Sequence, residues 1–149
     1  RRPFWSPRHS LGAFFGTTLL LGTTFSAMIF AALGDFPPAR NLTLIALLAR
    51  TTLFVWRQLE IHSGGRNPES GIYLNVRAIR ELLPWTPPAR LMLFIASTLF
   101  GLLAAFDFAN AAGIWATATA VTTLASEILV RWIFFVAGGA KRMPGGIAA

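Results

Sequence analysis

The sequence predicts an all-α fold, a polytopic transmembrane four-helix bundle forming half of a larger helical membrane domain, and three observations carry that expectation. Of its 149 residues 54% are hydrophobic and only 13% are charged, whereas a soluble globular domain is about half apolar and about a quarter charged. The mean hydropathy is +0.58. The apolar residues fall in four long continuous runs, not in the shorter alternating segments of a membrane barrel.

These features exclude an ordinary soluble enzyme. A net charge of +7, from 13 basic and 6 acidic residues, would suit a nucleic-acid partner, but the apolar runs between the charges are too long for a water-soluble domain of this size. With no cysteine and two histidines, the chain can supply no disulfide, thiolate metal site or iron–sulfur cluster, and a haem would need both histidines or a further ligand. A redox cofactor is therefore expected in a partner. Arg1-Arg2-Pro3 opens without an initiator Met and without the layout of a secretory signal, so the sequence reads as a piece of a longer protein.

A helix crosses a hydrocarbon core in about 20 residues at about 1.5 Å rise each. The first expected span, residues 10–33, is uncharged. The second, 41–61, carries Arg50 in its middle and Arg57 and Glu60 towards its end. The third, 90–109, has no charge between Arg90 and Asp107, and the fourth, 113–138, carries Glu127 and Arg131 in its later half. Breakers separate them: Gly34-Asp35-Phe36-Pro37-Pro38, then Pro84 with Pro87-Pro88, then residues 110–113. The first and last connections are short enough to make antiparallel hairpins. The middle one holds Ser63-Gly64-Gly65-Arg66-Asn67-Pro68 and then Ile72, Val76, Ile79 and Leu83 at helical spacing. It reads either as a short amphipathic helix over 72–83, lying on the membrane or under a partner, or as a plain loop.

If the spans alternate, Arg1, Arg2, Arg8, five arginines from Arg57 to Arg90, Lys141 and Arg142 share one side, and Arg40 alone marks the other. The positive-inside bias places both termini and the long connection in the cytoplasm. Trp5, Trp56, Trp85, Trp115 and Trp132 lie near span ends, where tryptophan anchors helices at the interface.

Ionisable groups within a span are costly enough to be candidate functional residues when a partner can be named. Counted along the parallel second and fourth spans, Arg57 and Glu127 lie at about 22 and 21 Å of depth, and Glu60 and Arg131 both at about 27 Å. Two opposite-charge pairs are expected if these helices are neighbours. Thr119, Thr123, Glu127 and Arg131 follow at i,i+4 steps and should form one stripe facing protein or a ligand. Arg50, at about 12 Å, is level with Thr119 and Thr123 and has no acid at its depth. Three readings stay open for it: bonds to those threonines and to backbone carbonyls, a partner helix outside this chain, or an anionic or carbonyl-bearing ligand.

A quinone pocket needs donors for the carbonyl oxygens and an acid, base or histidine to move protons near the interface. Glu60, His62, Arg57, Glu127 and Arg131 lie at one such interface. Ion pairs that only fix helix packing fit the same residues. His9 and His62 lie at or outside span ends, where haem ligation within a bundle is unfavourable. Gly12 and Gly16 form a GxxxG step suited to close helix approach. The glycosylation pattern Asn41-Leu42-Thr43 abuts a span and reads as chance. No phosphate loop, zinc spacing or nucleophile triad occurs.

The string Ser126-Glu127-Ile128-Leu129-Val130-Arg131-Trp132-Ile133-Phe134-Phe135, followed by Met143-Pro144-Gly145, resembles the closing segment of the membrane-anchor subunits of DMSO-reductase-type molybdoenzymes. The opening Arg1-Arg2-Pro3-Phe4-Trp5, leading into residues 14–22, resembles the start of the second half of those anchors, although Val130 stands where the family has a glycine. The resemblance spans the whole chain and implies the last four of about eight helices. It further implies a bacterial inner-membrane subunit of an oxidoreductase complex in anaerobic respiration. Such an anchor oxidises menaquinol and passes electrons to a partner iron–sulfur subunit, which serves a catalytic subunit carrying molybdopterin; the anchor carries no haem. Glu127 and Arg131 match the family pattern and are implied to support packing or the quinol pocket. Two other readings of the residues are a structural bundle subunit of another membrane complex, and half of a transporter with Arg50 as a substrate or counter-ion site.

Overall fold

The structure, a computed structural model, describes residues 7–64, 81, 83–107 and 110–140, with side chains described from Phe14 onward except at 60, 61, 63, 64, 134 and 137–140. Four helices account for nearly all of them: α1 (Pro7–Ala32), α2 (Phe36–Gly64), α3 (Thr86–Ala105) and α4 (Ala112–Ala140). Each contains a stretch long and apolar enough to cross a membrane: Phe14–Ala32, Phe36–Leu59, Thr86–Ala105 and Ala112–Ile133.

The boundaries correct the sequence reading at three places. Pro37 and Pro38 lie inside the first turn of α2, and Pro87 and Pro88 stand at the second and third positions of α3. First-turn residues need no intrahelical N–H donor, so these prolines start helices where they were expected to interrupt the chain. The third helix ends at Ala105, not 109, because Asp107 (φ 47°) and Asn110 (φ 53°) take the left-handed conformation that Asp and Asn adopt more readily than other non-glycine residues. The Asp107 carboxylate then accepts the Ala112 N–H at 3.0 Å, satisfying a donor at the start of α4. The helix expected over 72–83 lies, apart from its last residues, outside the described residues.

The α1–α2 turn is closed by the backbone. Gly34 takes φ 79°, its N–H donates to Ala31 O at 3.2 Å, and the Asp35 N–H donates to Phe30 O at 2.9 Å. This is a Schellman ending, in which a glycine accepts the positive φ that a Cβ would oppose.

The helices pack in the cyclic order α1, α2, α3, α4, so that α2 and α4 stand across a diagonal. Small and polar groups fill the interior: Ala27, Ala46, Ala104, Ala116 and Ala120 are buried together with Thr17, Thr24, Thr43, Ser97, Thr119, Thr123 and Ser126. Large apolar side chains face outward, with Phe15 73% and Leu33 75% exposed. Water would penalise that distribution, whereas a hydrocarbon surround favours it and leaves small residues to bring backbones together. Gly101 illustrates the approach: a Cβ there would lie 2.8 Å from Leu47 Cδ2 on α2. Outward hydroxyls are satisfied within their own helices, as Thr51 and Thr52 donate to Leu47 O and Leu48 O at 2.9 Å.

A buried arginine cluster as candidate functional site

Helical periodicity brings one polar set from each helix to the same level. On α2, Arg50, Leu53 and Arg57 recur at i, i+3 and i+7; on α4, Thr119, Thr123, Ser126 and Glu127 are all buried. Their side chains meet across the diagonal. Arg57 forks the Glu127 carboxylate, Nη1 donating to Oε1 at 3.1 Å and Nη2 to Oε2 at 3.3 Å. Thr17 of α1 donates its hydroxyl to the same Oε2 at 3.1 Å. Three donors thus hold one carboxylate that is 5% exposed. Such charge-assisted, bidentate contacts fix its orientation strongly.

Arg50 is also 5% exposed and meets no carboxylate in a hydrogen bond among the described residues. Its Nη1 donates to Thr123 Oγ1 at 2.9 Å and its Nη2 to Leu93 O at 3.1 Å. Leu93 O accepts from Ser97 Oγ as well, at 2.8 Å. The guanidinium carbon sits 5.8 Å from the centroid of Phe94, which stacks on Phe54 at 4.1 Å. Nε of Arg50 is buried and donates to nothing. An unused buried donor carries a desolvation cost of about 1–3 kcal/mol.

Beside these groups lies a cavity of about 20 Å³, lined by Arg50, Arg57, Arg90, Ser126 and Glu127 together with apolar side chains including Phe54 and Phe94. It has room for about one water. Arg90, half-buried in the first turns of α3, feels Arg57 and Glu127 as its neighbouring charges. The cavity wall therefore carries three guanidinium groups and one carboxylate, and that carboxylate is already engaged by Arg57 and Thr17.

Among the residues singled out from sequence, Arg50, Arg57 and Glu127 come together. Arg57 and Glu127 meet although α2 and α4 are not neighbours, because a long guanidinium side chain spans the diagonal. Of the readings left open for Arg50, its bonds go to Thr123 and a backbone carbonyl. Arg131 departs from the expected stripe: it is exposed and lies 4.9 Å from the Phe14 ring centroid. Each i,i+4 step rotates about 40°, so three steps from Thr119 turn Arg131 about 120° off the interior face. His62 is exposed in the last turn of α2, and the side chain of Glu60, with its expected pairing to Arg131, lies outside the described residues. The Trp85 and Trp132 rings meet at 5.7 Å.

Sequence reasoning passed over Arg90 and Thr17. The signal for each was present in the spacing: Ser97, Gly101 and Ala104 mark the buried face of α3, and Arg90 precedes Ser97 by two turns. Thr17 likewise heads the buried row Thr17, Leu20, Thr24, Ala27 on α1.

Among the described residues no group of three His, Cys, Asp or Glu side chains comes together. With no cysteine in the sequence, the residues present do not fit an iron–sulfur cluster, and such a group would need ligands from another chain. Comparison with family models, curated proteins and solved structures finds no match to this chain.

Proposed function

We propose that the chain is a multi-pass membrane-anchor portion of an oxidoreductase complex, and that its arginine cluster handles the oxygen and proton of a quinol. One observation carries this reading: Glu127 is held between Arg57 and Thr17 beside a cavity whose wall also offers the unused Nε of Arg50. Oxidising menaquinol to menaquinone releases two electrons and two protons, which requires a base near one hydroxyl and a donor for the oxygen as its negative charge grows. Glu127 is the base for one proton and Arg50 the donor to that oxygen, and the second hydroxyl, outside the cavity, gives its proton to water. The cavity accepts a hydroxyl oxygen and not a ring, so the ring rests outside it. The electrons pass to iron–sulfur clusters of a partner subunit, which serves a molybdopterin subunit. The resemblance noted from the sequence supports these partners and a bacterial inner membrane, and the positive-inside bias of the basic residues supports both termini on the cytoplasmic side.

A structural bundle without redox role is the second reading, favoured by the saturation of Glu127 with three donors and by the small cavity. Extraction of the native assembly in mild detergent, metal analysis and a quinol-oxidation assay separate the two. Molybdenum or tungsten with iron, and quinol oxidation lost in Glu127→Gln while the subunits stay together, support the redox anchor. An assembly without these metals, or one that falls apart in the variant, supports the structural bundle.

A further inference from the structure

We infer that the arginine-lined cavity binds the phosphate oxygen of an anionic phospholipid headgroup, entering from the end of the bundle where Arg90 lies. This rests on charge balance and is independent of the quinol reading. The three guanidinium groups on the cavity wall face one carboxylate, and Arg57 uses both oxygens of that carboxylate. Arg50 and Arg90 are left without an anion in hydrogen-bonding contact among the described residues.

In a low-dielectric surround such an excess of positive charge calls for a negative partner. The second observation is Arg50 itself: nineteen-twentieths buried, on the cavity wall, with Nε donating to nothing. Planar guanidinium groups match phosphate oxygens in geometry. The volume of about 20 Å³ admits one oxygen-sized atom and leaves the rest of the headgroup outside. A phosphodiester meets that requirement when Arg90, one turn inside the start of α3, draws it below the headgroup layer, so that one oxygen enters while the glycerol and acyl chains stay in the bilayer.

The sequence at this end of the bundle favours the same occupant. The connection between α2 and α3 contributes Arg66, Arg77 and Arg80, and Lys141 and Arg142 follow α4. Basic clusters that flank membrane-spanning helices in sequence, together with a basic pocket between helices, attract anionic headgroups. A bound phosphate and a quinol hydroxyl would use the same donors, so lipid occupancy competes with the quinol.

The test uses the protein extracted in maltoside, without quinol, and follows thermal unfolding as dioctanoyl phosphatidylglycerol, dioctanoyl phosphatidylcholine or inorganic phosphate is added. The expected result is saturable stabilisation by phosphatidylglycerol alone, because the choline cation is repelled by the cluster. Arg90→Gln should weaken that binding about tenfold, as the loss of one charge-assisted hydrogen bond does. Arg90→Lys should weaken it less, and Arg131→Gln, which lies outside the cavity, should leave it unchanged. Equal stabilisation by inorganic phosphate supports a phosphate site and makes a free anion its occupant. Equal stabilisation by phosphatidylcholine, no stabilisation, or full binding in both Arg90 variants overturns the inference. Should the Arg90 variants fail to fold, native mass spectrometry of the unaltered protein decides: retained phosphatidylglycerol supports the site, and its absence overturns it.

Discussion

Arg57 on α2 and Glu127 on α4 form a two-point ion pair across the diagonal of the bundle, with oxygen–nitrogen distances of 3.1 and 3.3 Å, although their helices pack on other neighbours. The pair ties together two helices whose backbones stay apart. Its removal should therefore loosen the whole ring. Either Arg57→Gln or Glu127→Gln leaves a buried charge without its counter-ion, at a cost of about 3–5 kcal/mol. Replacing both by methionine should recover most of that loss, since no charge remains to be compensated. A double-mutant cycle on unfolding in detergent checks this, and additive single effects would refute the coupling.

Thr123 and Thr119 sit one turn apart on α4, yet they should respond differently to loss of the hydroxyl. Thr123 accepts from Arg50 at 2.9 Å, while the hydroxyl of Thr119 donates to Trp115 O in its own helix at 2.8 Å. Thr123→Val leaves a buried guanidinium donor unsatisfied, costing about 1–3 kcal/mol. Thr119→Val preserves shape and strands no donor, because the Trp115 carbonyl belongs to the helix ladder. Equal shifts in unfolding midpoint for the two variants would contradict the placement of Arg50.

The four long apolar helices were legible in the sequence because four apolar runs admit little else, and the level at which Arg57 meets Glu127 was legible because helix rise is constant. The two hairpins were legible from their short connections, but how one hairpin packs on the other was not. Depth counting has no angular information beyond one helix, so it could pair Arg57 with Glu127 only on the condition that α2 and α4 are neighbours, whereas the long Arg57 side chain makes the pair across a diagonal. Angular drift also explains Arg131, whose i,i+4 relation to Glu127 kept it on the stripe in a count by turns but carried it towards Phe14 in space. Arg90 was hidden by its position at the edge of a span, where a basic residue is read as a topology signal.

Arg131 and Phe14 offer a measurable tie between α4 and α1. The guanidinium carbon lies 4.9 Å from the ring centroid, within the range of a cation–π contact, and at an exposed site this contributes about 0.5–1 kcal/mol. Phe14→Leu and Arg131→Gln should therefore be coupled by that amount in a double-mutant cycle. Zero coupling would remove the contact from the account of how α1 is held.

Gly16 should tolerate alanine and reject valine. A Cβ there would stand 2.7 Å from Leu53 Cδ2, the far end of a side chain that can turn aside. Gly16→Val adds two methyl groups to the same gap, and overpacking of this kind costs about 1–3 kcal/mol. Pairing it with Leu53→Ala should restore part of the loss by opening room on α2. Gly22, with nothing within 4 Å of its Cβ position, should instead gain up to about 1 kcal/mol on change to alanine through helix propensity. Unfolding midpoints of the four variants separate close approach from propensity.

Swapping the charges of the diagonal pair tests function apart from assembly. Arg57→Glu with Glu127→Arg keeps one cation and one anion in contact across the bundle, so a pair that only fixes packing should remain assembled and unchanged in activity. A proton-accepting carboxylate is different, because its position matters. The swap moves the carboxylate from α4, where Thr17 donates to it at 3.1 Å, to α2, and puts a guanidinium in its place. If Glu127 is the base for a quinol hydroxyl, quinol oxidation by the intact complex should fall by about 10²–10⁴, the usual contribution of a positioned general base. Retained assembly with lost oxidation assigns chemistry to the pair, whereas retained assembly with full oxidation leaves it a packing device.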